Sequence, residues 1–106
     1  MKHKILNTEV KNKCIYTMTL NNSIKRNPLS LKLINTIQKE LIYIKKNKHI
    51  KVVIIKSTGP SFCSGHDLKE VKQSSSIKNK LNELFNTCSK MMLSIRSLPL
   101  PVIACV

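Results

Sequence analysis

The stretch Val52-Val53-Ile54-Ile55, followed by the loop Gly59-Pro-Ser-Phe-Cys-Ser-Gly-His-Asp-Leu68, decides the fold class. The first four residues are apolar and β-branched without alternation, which is typical of a strand covered on both faces, as in a parallel sheet. The loop holds both glycines of the sequence and precedes a segment with the pattern of a short helix. Open α/β sheets bind their ligands in such loops, at the carboxyl ends of the strands. This stretch therefore predicts an α/β fold with a candidate site at residues 59–68.

The sequence before this strand predicts two further strands and a helix. Residues 14–20 alternate, with Tyr16, Met18 and Leu20 on one face and Thr17 and Thr19 on the other, which is the pattern of a half-buried strand. An earlier strand near residues 4–10 is placed to pair with it. Ser30 suits the N-cap of a helix that ends before residues 47–48, and its apolar positions are Ile34, Ile37, Leu41 and Ile44. Strand, helix and strand together predict a βαβ unit.

The sequence after the loop predicts a second helix and a third buried strand. Six apolar residues recur at helical spacing: Ile77, Leu81, Leu84, Cys88, Met91 and Ile95. The polar stretch 73–76 before them is expected to be mobile, and Pro99 and Pro101 are expected to end the helix. Residues 101–106 have the pattern of a buried strand that reaches its neighbours through parallel crossovers.

The length of 106 residues suits one domain. Because the sequence stops inside an apolar strand without a turn or polar tail, we expect residues 1–106 to be the N-terminal part of a truncated domain. No apolar run approaches the roughly 18 residues that span a bilayer, which excludes a membrane span. Residues 1–6 show no clear signal or transit peptide.

The net charge of +14 suggests a nucleic-acid or polyanion partner, but its distribution does not favour one. Of the 19 basic residues only Arg26 and Arg96 are arginines, the rest are scattered lysines, and Trp is absent from the sequence. Arginine and aromatic side chains are the usual means of stacking on bases. We therefore do not favour a nucleic-acid partner and keep the binding of nucleic acid or another polyanion as the weaker alternative.

The four cysteines do not predict a metal site or a disulfide framework. Cys14, Cys63, Cys88 and Cys105 lie far apart, with no Cys-x-x-Cys pair and no histidine at zinc-ligand spacing. Most of them lie in apolar stretches, where a free cysteine is usually a small buried side chain. We expect a reducing compartment and no metal.

The loop at residues 59–68 fits two interpretations when its residues are taken alone. Glycines that permit unusual backbone conformations, together with an N-cap at Asp67, leave the amides around Gly65 and His66 free to face an anion, such as a developing oxyanion. The same residues fit a plain strand-to-helix turn, which composition alone favours. His66 also suits a general base, and Cys63 or Ser64 a nucleophile, but spacing assigns none of them a partner.

Three segments in order resemble the motifs of the crotonase, or enoyl-CoA hydratase/isomerase, superfamily. Residues 58–70, Thr-Gly-Pro-Ser-Phe-Cys-Ser-Gly-His-Asp-Leu-Lys-Glu, resemble its G-x-x-F-[CS]-[SA]-G-x-D-[LI] signature. Residues 19–30 resemble its L-N-x-P-x-x-x-N-A-L-S motif, and residues 85–104 resemble the helix and strand before its next active-site loop. The resemblance implies an α/β crotonase-like (ClpP/crotonase) spiral of βαβ units, truncated after the third main strand.

The resemblance also implies a site for an acyl-CoA thioester. At the position of His66 the family uses the backbone N–H as an oxyanion-hole donor to the thioester oxygen. Six residues match positions near coenzyme A: Lys25, Arg26, Cys63, Ser64, Gly65 and Lys69. Of these, Ser64 and Cys63 correspond to the adenine side, and the three basic residues to the phosphates. Coenzyme A enters as part of the substrate, and the resemblance implies no separate cofactor.

Two departures from the family pattern limit what we expect of the chain alone. Pro28 stands where the family usually has Ala and lacks a backbone donor. The second oxyanion donor and the catalytic glutamates of hydratases follow the last strand in the family. None of the five acids matches a catalytic position: Glu9, Glu40, Asp67, Glu70 and Glu83. We expect enoyl-CoA hydratase/isomerase-type chemistry in fatty acid metabolism from the full-length protein, and an inactive chain of 106 residues.

A non-catalytic relative with a regulatory role in lipid metabolism is the alternative that the sequence leaves open. For the full-length protein the resemblance implies a homotrimer or homohexamer. It also implies a mitochondrial location; without it the sequence suggests the cytoplasm.

Overall fold

The computed structural model of this chain describes residues 4–106. In chain order the strands are β1 (Leu6–Lys11), β2 (Ile15–Leu20), β3 (Val52–Ser57) and β4 (Val102–Ala104). The helices are α1 (Leu31–Lys46), α2 (Leu68–Ser75) and α3 (Lys80–Arg96), with a 3-10 turn at Ser23–Lys25. The strands form one sheet in the order β1-β2-β3-β4. β1 is antiparallel to β2, and the β2–β3 and β3–β4 pairs are parallel, which confirms the predicted α/β class and the βαβ unit.

The β1–β2 hairpin turns through two residues in the left-handed region. Asn12 and Lys13 have φ of 52° and 64°, and the Cys14 N–H donates to the Lys11 carbonyl at 3.1 Å. Two left-handed residues are the signature of the tight hairpin turn that matches strand twist. Cys14 follows the turn as an additional residue, so that the pairing begins with Lys11 opposite Ile15 and ends with Leu6 opposite Leu20. The pairing predicted for residues 4–10 is confirmed.

Helix α1 begins and ends where the sequence predicts. The Ser30 hydroxyl accepts a hydrogen bond from the Leu33 N–H at 3.1 Å and so caps the first turn. Its buried face consists of Leu33, Ile34, Ile37, Leu41 and Ile44. Burial of one such side chain contributes about 1.5–3 kcal/mol, so this stripe fixes the helix on the sheet.

The hydrophobic core lies between one face of the sheet and the long helices. The strands contribute Leu6, Tyr16, Met18, Leu20 and Val53, and the helices contribute the α1 stripe with Leu84, Cys88 and Met91. On this face the strand registers align Tyr16 with Val53 and Met18 with Ile55. The predicted alternation of residues 14–20 is therefore confirmed for its apolar side.

The opposite face of the sheet differs from the prediction of a strand buried on both sides. Val52 and Ile54 are half-buried, and Ile103 beside them on β4 is 50% exposed. The predicted parallel strand within 101–106 is confirmed as β4. It has only three residues, lies at the sheet edge and is largely exposed, so the prediction that it is buried was wrong. The core cluster draws on the other face, which leaves this one less covered. Thr17, predicted on the polar side, is buried because it lies in a central strand between its pairing partners, Glu9 on β1 and Ile54 on β3.

The region between the loop and α3 also differs from the prediction. Gln73, Ser74 and Ser75 were expected to be mobile, but they complete α2, and Ser74 is buried. Ile77 was expected in the α3 stripe but precedes the helix and is 54% exposed. The reason is Asn79, whose φ of 66° interrupts the helical path between α2 and α3.

From Leu84 onward the predicted stripe of α3 is confirmed. Leu84, Cys88 and Met91 are buried in the core, and the helix ends at Arg96, before Pro99. Among residues 4–106 none of the helices has the length and apolar character that a membrane crossing requires.

Candidate functional site

The loop that joins β3 to α2 holds both glycines at positive φ. Gly59 has φ of 77°, and a Cβ there would lie 2.6 Å from the Ser23 Cβ. Gly65 has φ of 86°, with no atom within 4 Å of the position a Cβ would take. Gly59 therefore allows the loop to approach the segment after β2, whereas Gly65 bends the chain beside open space.

An isolated parallel bridge between Leu29 and His66 fixes the second half of the loop. The Leu29 N–H donates to the Gly65 carbonyl at 2.7 Å, and the Asp67 N–H donates to the Leu29 carbonyl at 3.4 Å. In such a bridge the N–H and C=O of the central residue point to the other side. The His66 N–H accordingly donates no hydrogen bond to any residue in the range 4–106.

The neighbouring amide of Gly65 is not free, which differs from the prediction for this pair. Its N–H points to the Cys63 sulfur at 3.4 Å. The sequence predicts that the N–H groups of Gly65 and His66 both face an anion, but only the N–H of His66 lacks a hydrogen-bond partner within residues 4–106. A backbone N–H without a protein partner takes one from solvent or from a ligand.

Asn27 holds the first half of the loop, and sequence reasoning assigned it no role. Its side chain is 1% exposed and its φ is 53°. The side-chain amide donates to the carbonyls of Thr58 and Ser61, each at 3.0 Å. Its side-chain oxygen accepts from the Asn22 N–H at 2.7 Å. The match of Asn27 to the N-A-L motif was the available signal, but the contacts are long-range and invisible in a local pattern.

Two carboxylates hold the helices around the loop. The Asp67 carboxylate accepts from the Lys69 and Glu70 N–H groups at 3.0 and 3.4 Å, which confirms it as the N-cap of α2. The Glu70 carboxylate accepts from the Leu31 N–H at 2.7 Å, at the start of α1. Both carboxylates therefore serve as caps.

His66 lies in the lining of a surface cleft of about 340 Å³. Its lining consists of Lys25, Pro28, Ser64, His66, Asp67, Leu68 and Lys69. Lys25, Ser64 and Lys69 are exposed, so two exposed lysines belong to the lining of the cleft. The structure thus brings four of the seven predicted site residues to one surface.

The remaining predicted site residues lie around this cleft without lining it. Arg26 is exposed at a left-handed position one residue after Lys25. Gly65 lies between two lining residues. Cys63 instead lines an apolar cavity of about 200 Å³ below the loop, together with Met18, Leu29 and Met91.

The imidazole of His66 packs against α3. Its ring lies 5.0 Å from that of Phe85 in an edge-to-face arrangement. The His66 Nδ1 is buried and has no hydrogen-bond partner within residues 4–106. No serine or cysteine is therefore paired with this imidazole in the described range, and the geometry assembles no nucleophile–base pair.

The thiol of Cys88 is also unsuited to nucleophilic chemistry. Burial, followed by the proximity of Cys63, raises its pKa, so the thiol remains protonated at neutral pH. In the part of the chain that the structure describes, no three His, Cys, Asp or Glu side chains are grouped as metal ligands.

The sequence of this chain is similar to those of known enoyl-CoA hydratase-like proteins. Residues 10–106 match the family described as enoyl-CoA hydratase/isomerase. Human enoyl-CoA hydratase domain-containing protein 3, mitochondrial, is 42% identical over 92 residues, which are 87% of this chain and 30% of that protein. Human methylglutaconyl-CoA hydratase, mitochondrial, is 30% identical over 104 residues, or 97% of this chain and 30% of that protein. The chain thus spans about a third of the length of the curated relatives it matches.

Solved structures show the same fold. The crystal structure of an enoyl-CoA hydratase from Mycobacterium smegmatis gives a TM-score of 0.91 at 30% identity and covers 96% of this chain and 39% of its own. That of human enoyl-CoA hydratase domain-containing protein 3 gives 0.87 at 38% identity, covering 97% of this chain and 40% of its own. The crotonase-like fold implied by the motifs is confirmed. The similarity to enoyl-CoA hydratase domain-containing protein 3 thus holds in both sequence and structure over most of this chain.

Proposed function

This chain belongs to the enoyl-CoA hydratase/isomerase family, and we propose that its loop at residues 58–67 binds the thioester group of an acyl-CoA. The observation that carries the proposal is the His66 N–H, which is unpaired within residues 4–106, on a residue that lines a cleft together with Lys25 and Lys69. A backbone donor aimed at a developing oxyanion is worth roughly 3 kcal/mol of transition-state stabilisation. In this role His66 acts through its amide and needs no proton transfer by its ring.

Coenzyme A would lie along the same cleft in this proposal. Lys25 and Lys69 offer positive charge to its phosphates, with Arg26 close behind, and the backbone near Ser64 and Cys63 faces the adenine. The exposure of both lysines supports contact with a phosphate group. No cofactor is needed beyond the coenzyme A that the substrate itself carries.

We propose further that the whole protein carries out hydratase- or isomerase-type chemistry in fatty acid metabolism, and that these 106 residues alone do not. Hydration requires carboxylates placed to activate water and deliver a proton. In this chain Glu40 accepts from the Tyr16 hydroxyl, while Asp67 and Glu70 cap helices. The similarity to two mitochondrial proteins supports a mitochondrial location, and we propose a homotrimer or homohexamer for the whole protein.

Calorimetric titration of the chain with acetyl-CoA tests the binding proposal. We expect binding that free coenzyme A competes away, and weaker binding for Lys25→Ala and Lys69→Ala. Lys72→Ala is the matched control, since Lys72 is exposed on the same helix as Lys69 but does not line the cleft. Absence of competition, or an equal loss with Lys72→Ala, would contradict the proposed site.

An assay of 2-enoyl-CoA hydration tests the second part. We expect no turnover by this chain, and measurable turnover by the chain of full family length. Turnover by the 106 residues would overturn the proposal of incompetence. Binding without turnover by the full-length protein would instead indicate a non-catalytic, regulatory member of the family.

A further inference from the structure

The hydrogen bonds of Asn27 join three parts of the site. One side chain contacts the backbone at Asn22, Thr58 and Ser61. Thr58 and Ser61 lie on either side of the turn at Gly59, so the side-chain amide spans that turn. Since Asn27 is 1% exposed, its side-chain amide is shielded from water. Loss of the side chain would leave the half-buried Thr58 carbonyl without this donor and the Ser61 carbonyl with only the Ser57 hydroxyl, at 3.3 Å.

The backbone of Asn27 is as specific as its side chain. Its φ of 53° is in the left-handed region, which asparagine tolerates better than other residues with a Cβ. This conformation brings Leu29, two residues later, to its bridge with Gly65 and Asp67. Residues 22–29 therefore hold the loop at both ends, through the Asn27 side chain at residues 58–61 and through Leu29 at residues 65–67.

The consequence for His66 follows from this double attachment. The bonds made by Gly65 and Asp67 turn the His66 N–H away from Leu29. The direction of that N–H depends on where the loop backbone lies, which Asn27 sets from the other end. A shift of the loop by a fraction of an ångström would misalign the donor, because hydrogen bonds weaken steeply with angle.

We propose that Asn27 is the positioning residue of the oxyanion donor: its side-chain amide holds the loop in the place where the His66 N–H meets the thioester oxygen. The inference rests on the proposed function of this loop and adds a residue that touches neither the thioester nor coenzyme A. Its effect should therefore appear only in ligands that carry the carbonyl.

The test compares acetyl-CoA with S-ethyl-CoA, in which a methylene replaces the carbonyl. The thioester preference is the ratio of the two dissociation constants. Asn27→Gly keeps the left-handed backbone accessible and removes the side-chain hydrogen bonds that hold the loop. We expect its thioester preference to fall roughly tenfold, the effect of one misaligned hydrogen bond, with little change in affinity for S-ethyl-CoA.

Two further variants keep the experiment decisive. Asn12→Gly is the matched control, because Asn12 is an exposed asparagine at φ of 52° in the remote β1–β2 turn, and it should keep the wild-type preference. Asn27→Ser retains one hydroxyl donor and should give an intermediate value. If circular dichroism shows that Asn27→Gly does not fold, the thioester preference of Asn27→Ser tests the proposal in its place.

The possible results overturn different claims. A wild-type chain that shows no thioester preference overturns the proposed function, and the inference with it. A wild-type preference that survives in Asn27→Gly and Asn27→Ser overturns only the positioning role. Equal weakening of both ligands also overturns it, since this would show that Asn27 acts on the fold and not on the donor.

Discussion

At the scale of single residues, the site depends on the backbone more than on side chains. The sequence predicts the glycines, the Asp67 cap and the amide of His66, because these are local properties of a strand-to-helix turn. It does not predict the hydrogen bonds of the Asn27 side chain to the loop, because their acceptors lie 31 and 34 positions further along the chain. Nor does it predict that Gly65 donates to the Cys63 sulfur, since this depends on a side-chain orientation within the loop.

The two loop glycines should differ in how they tolerate a methyl group. Gly59→Ala combines left-handed strain with a contact at 2.6 Å to the Ser23 Cβ, and we expect a loss of about 2–4 kcal/mol in the free energy of unfolding. Gly65→Ala meets strain alone, because its surroundings are open, and should lose about 1–2 kcal/mol. Urea unfolding measures both, and equal losses would contradict this account of the loop.

At the scale of elements, the sequence predicts helices well where a stripe of apolar residues is buried against the sheet. It fails at Ile77, where the spacing continues but a left-handed Asn79 breaks the helix. It fails at residues 73–76, where a polar composition conceals the end of α2. Composition reports the average solvent exposure of a segment, whereas the path of the backbone is decided by single residues and long-range packing.

Helix α3 offers a direct check of where its buried stripe begins. Met91 is 1% exposed, whereas Ile77 is 54% exposed and precedes the helix. We expect Met91→Ala to cost about 2–5 kcal/mol in the free energy of unfolding and Ile77→Ala less than about 1 kcal/mol. A cost at Ile77 as large as that at Met91 would restore the longer stripe that the spacing alone predicts.

The link between β2 and α1 should give the chain an alkaline sensitivity. Burial, and then the hydrogen bond to Glu40, raise the pKa of Tyr16 above its usual value of about 10. Because the folded state holds this proton more tightly than the unfolded state, the stabilisation is complete below about pH 10 and is lost as pH rises further. Tyr16→Phe should therefore show a shallower alkaline decline in unfolding free energy. A decline identical to wild type would contradict the coupling.

At the scale of the whole molecule, one sheet carries the core on one face and places the loop at the carboxyl ends of β2 and β3. Motif order predicts this architecture, which the family match and the solved structures confirm. The sequence overstates how deeply β3 and β4 are buried, since their apolar composition does not show which face the helices cover. The basic residues behind the charge of +14 are scattered along the sequence, and among residues 4–106 Lys25 and Lys69 line the cleft.

The distribution of this charge predicts a weak salt dependence for the proposed ligand. If Lys25 and Lys69 make the phosphate contacts, acetyl-CoA affinity should fall less than about tenfold between roughly 50 and 200 mM salt, because a small ligand has no condensed counterions to release and only screening weakens the two contacts. A polyanion that engaged the whole surface would lose on the order of a thousandfold or more over the same range. Calorimetry at both salt concentrations distinguishes the two, and a thousandfold loss for acetyl-CoA would favour general polyanion binding.

The His66 amide proton itself reports most directly on the central claim. In a ¹⁵N-labelled chain titrated with acetyl-CoA, a new hydrogen bond to the thioester oxygen should move this resonance downfield and slow its exchange with water. S-ethyl-CoA should leave it nearly unchanged while still shifting the amides of Lys25 and Lys69. If acetyl-CoA binds and the His66 amide responds no more than it does to S-ethyl-CoA, the loop does not hold the thioester oxygen as proposed.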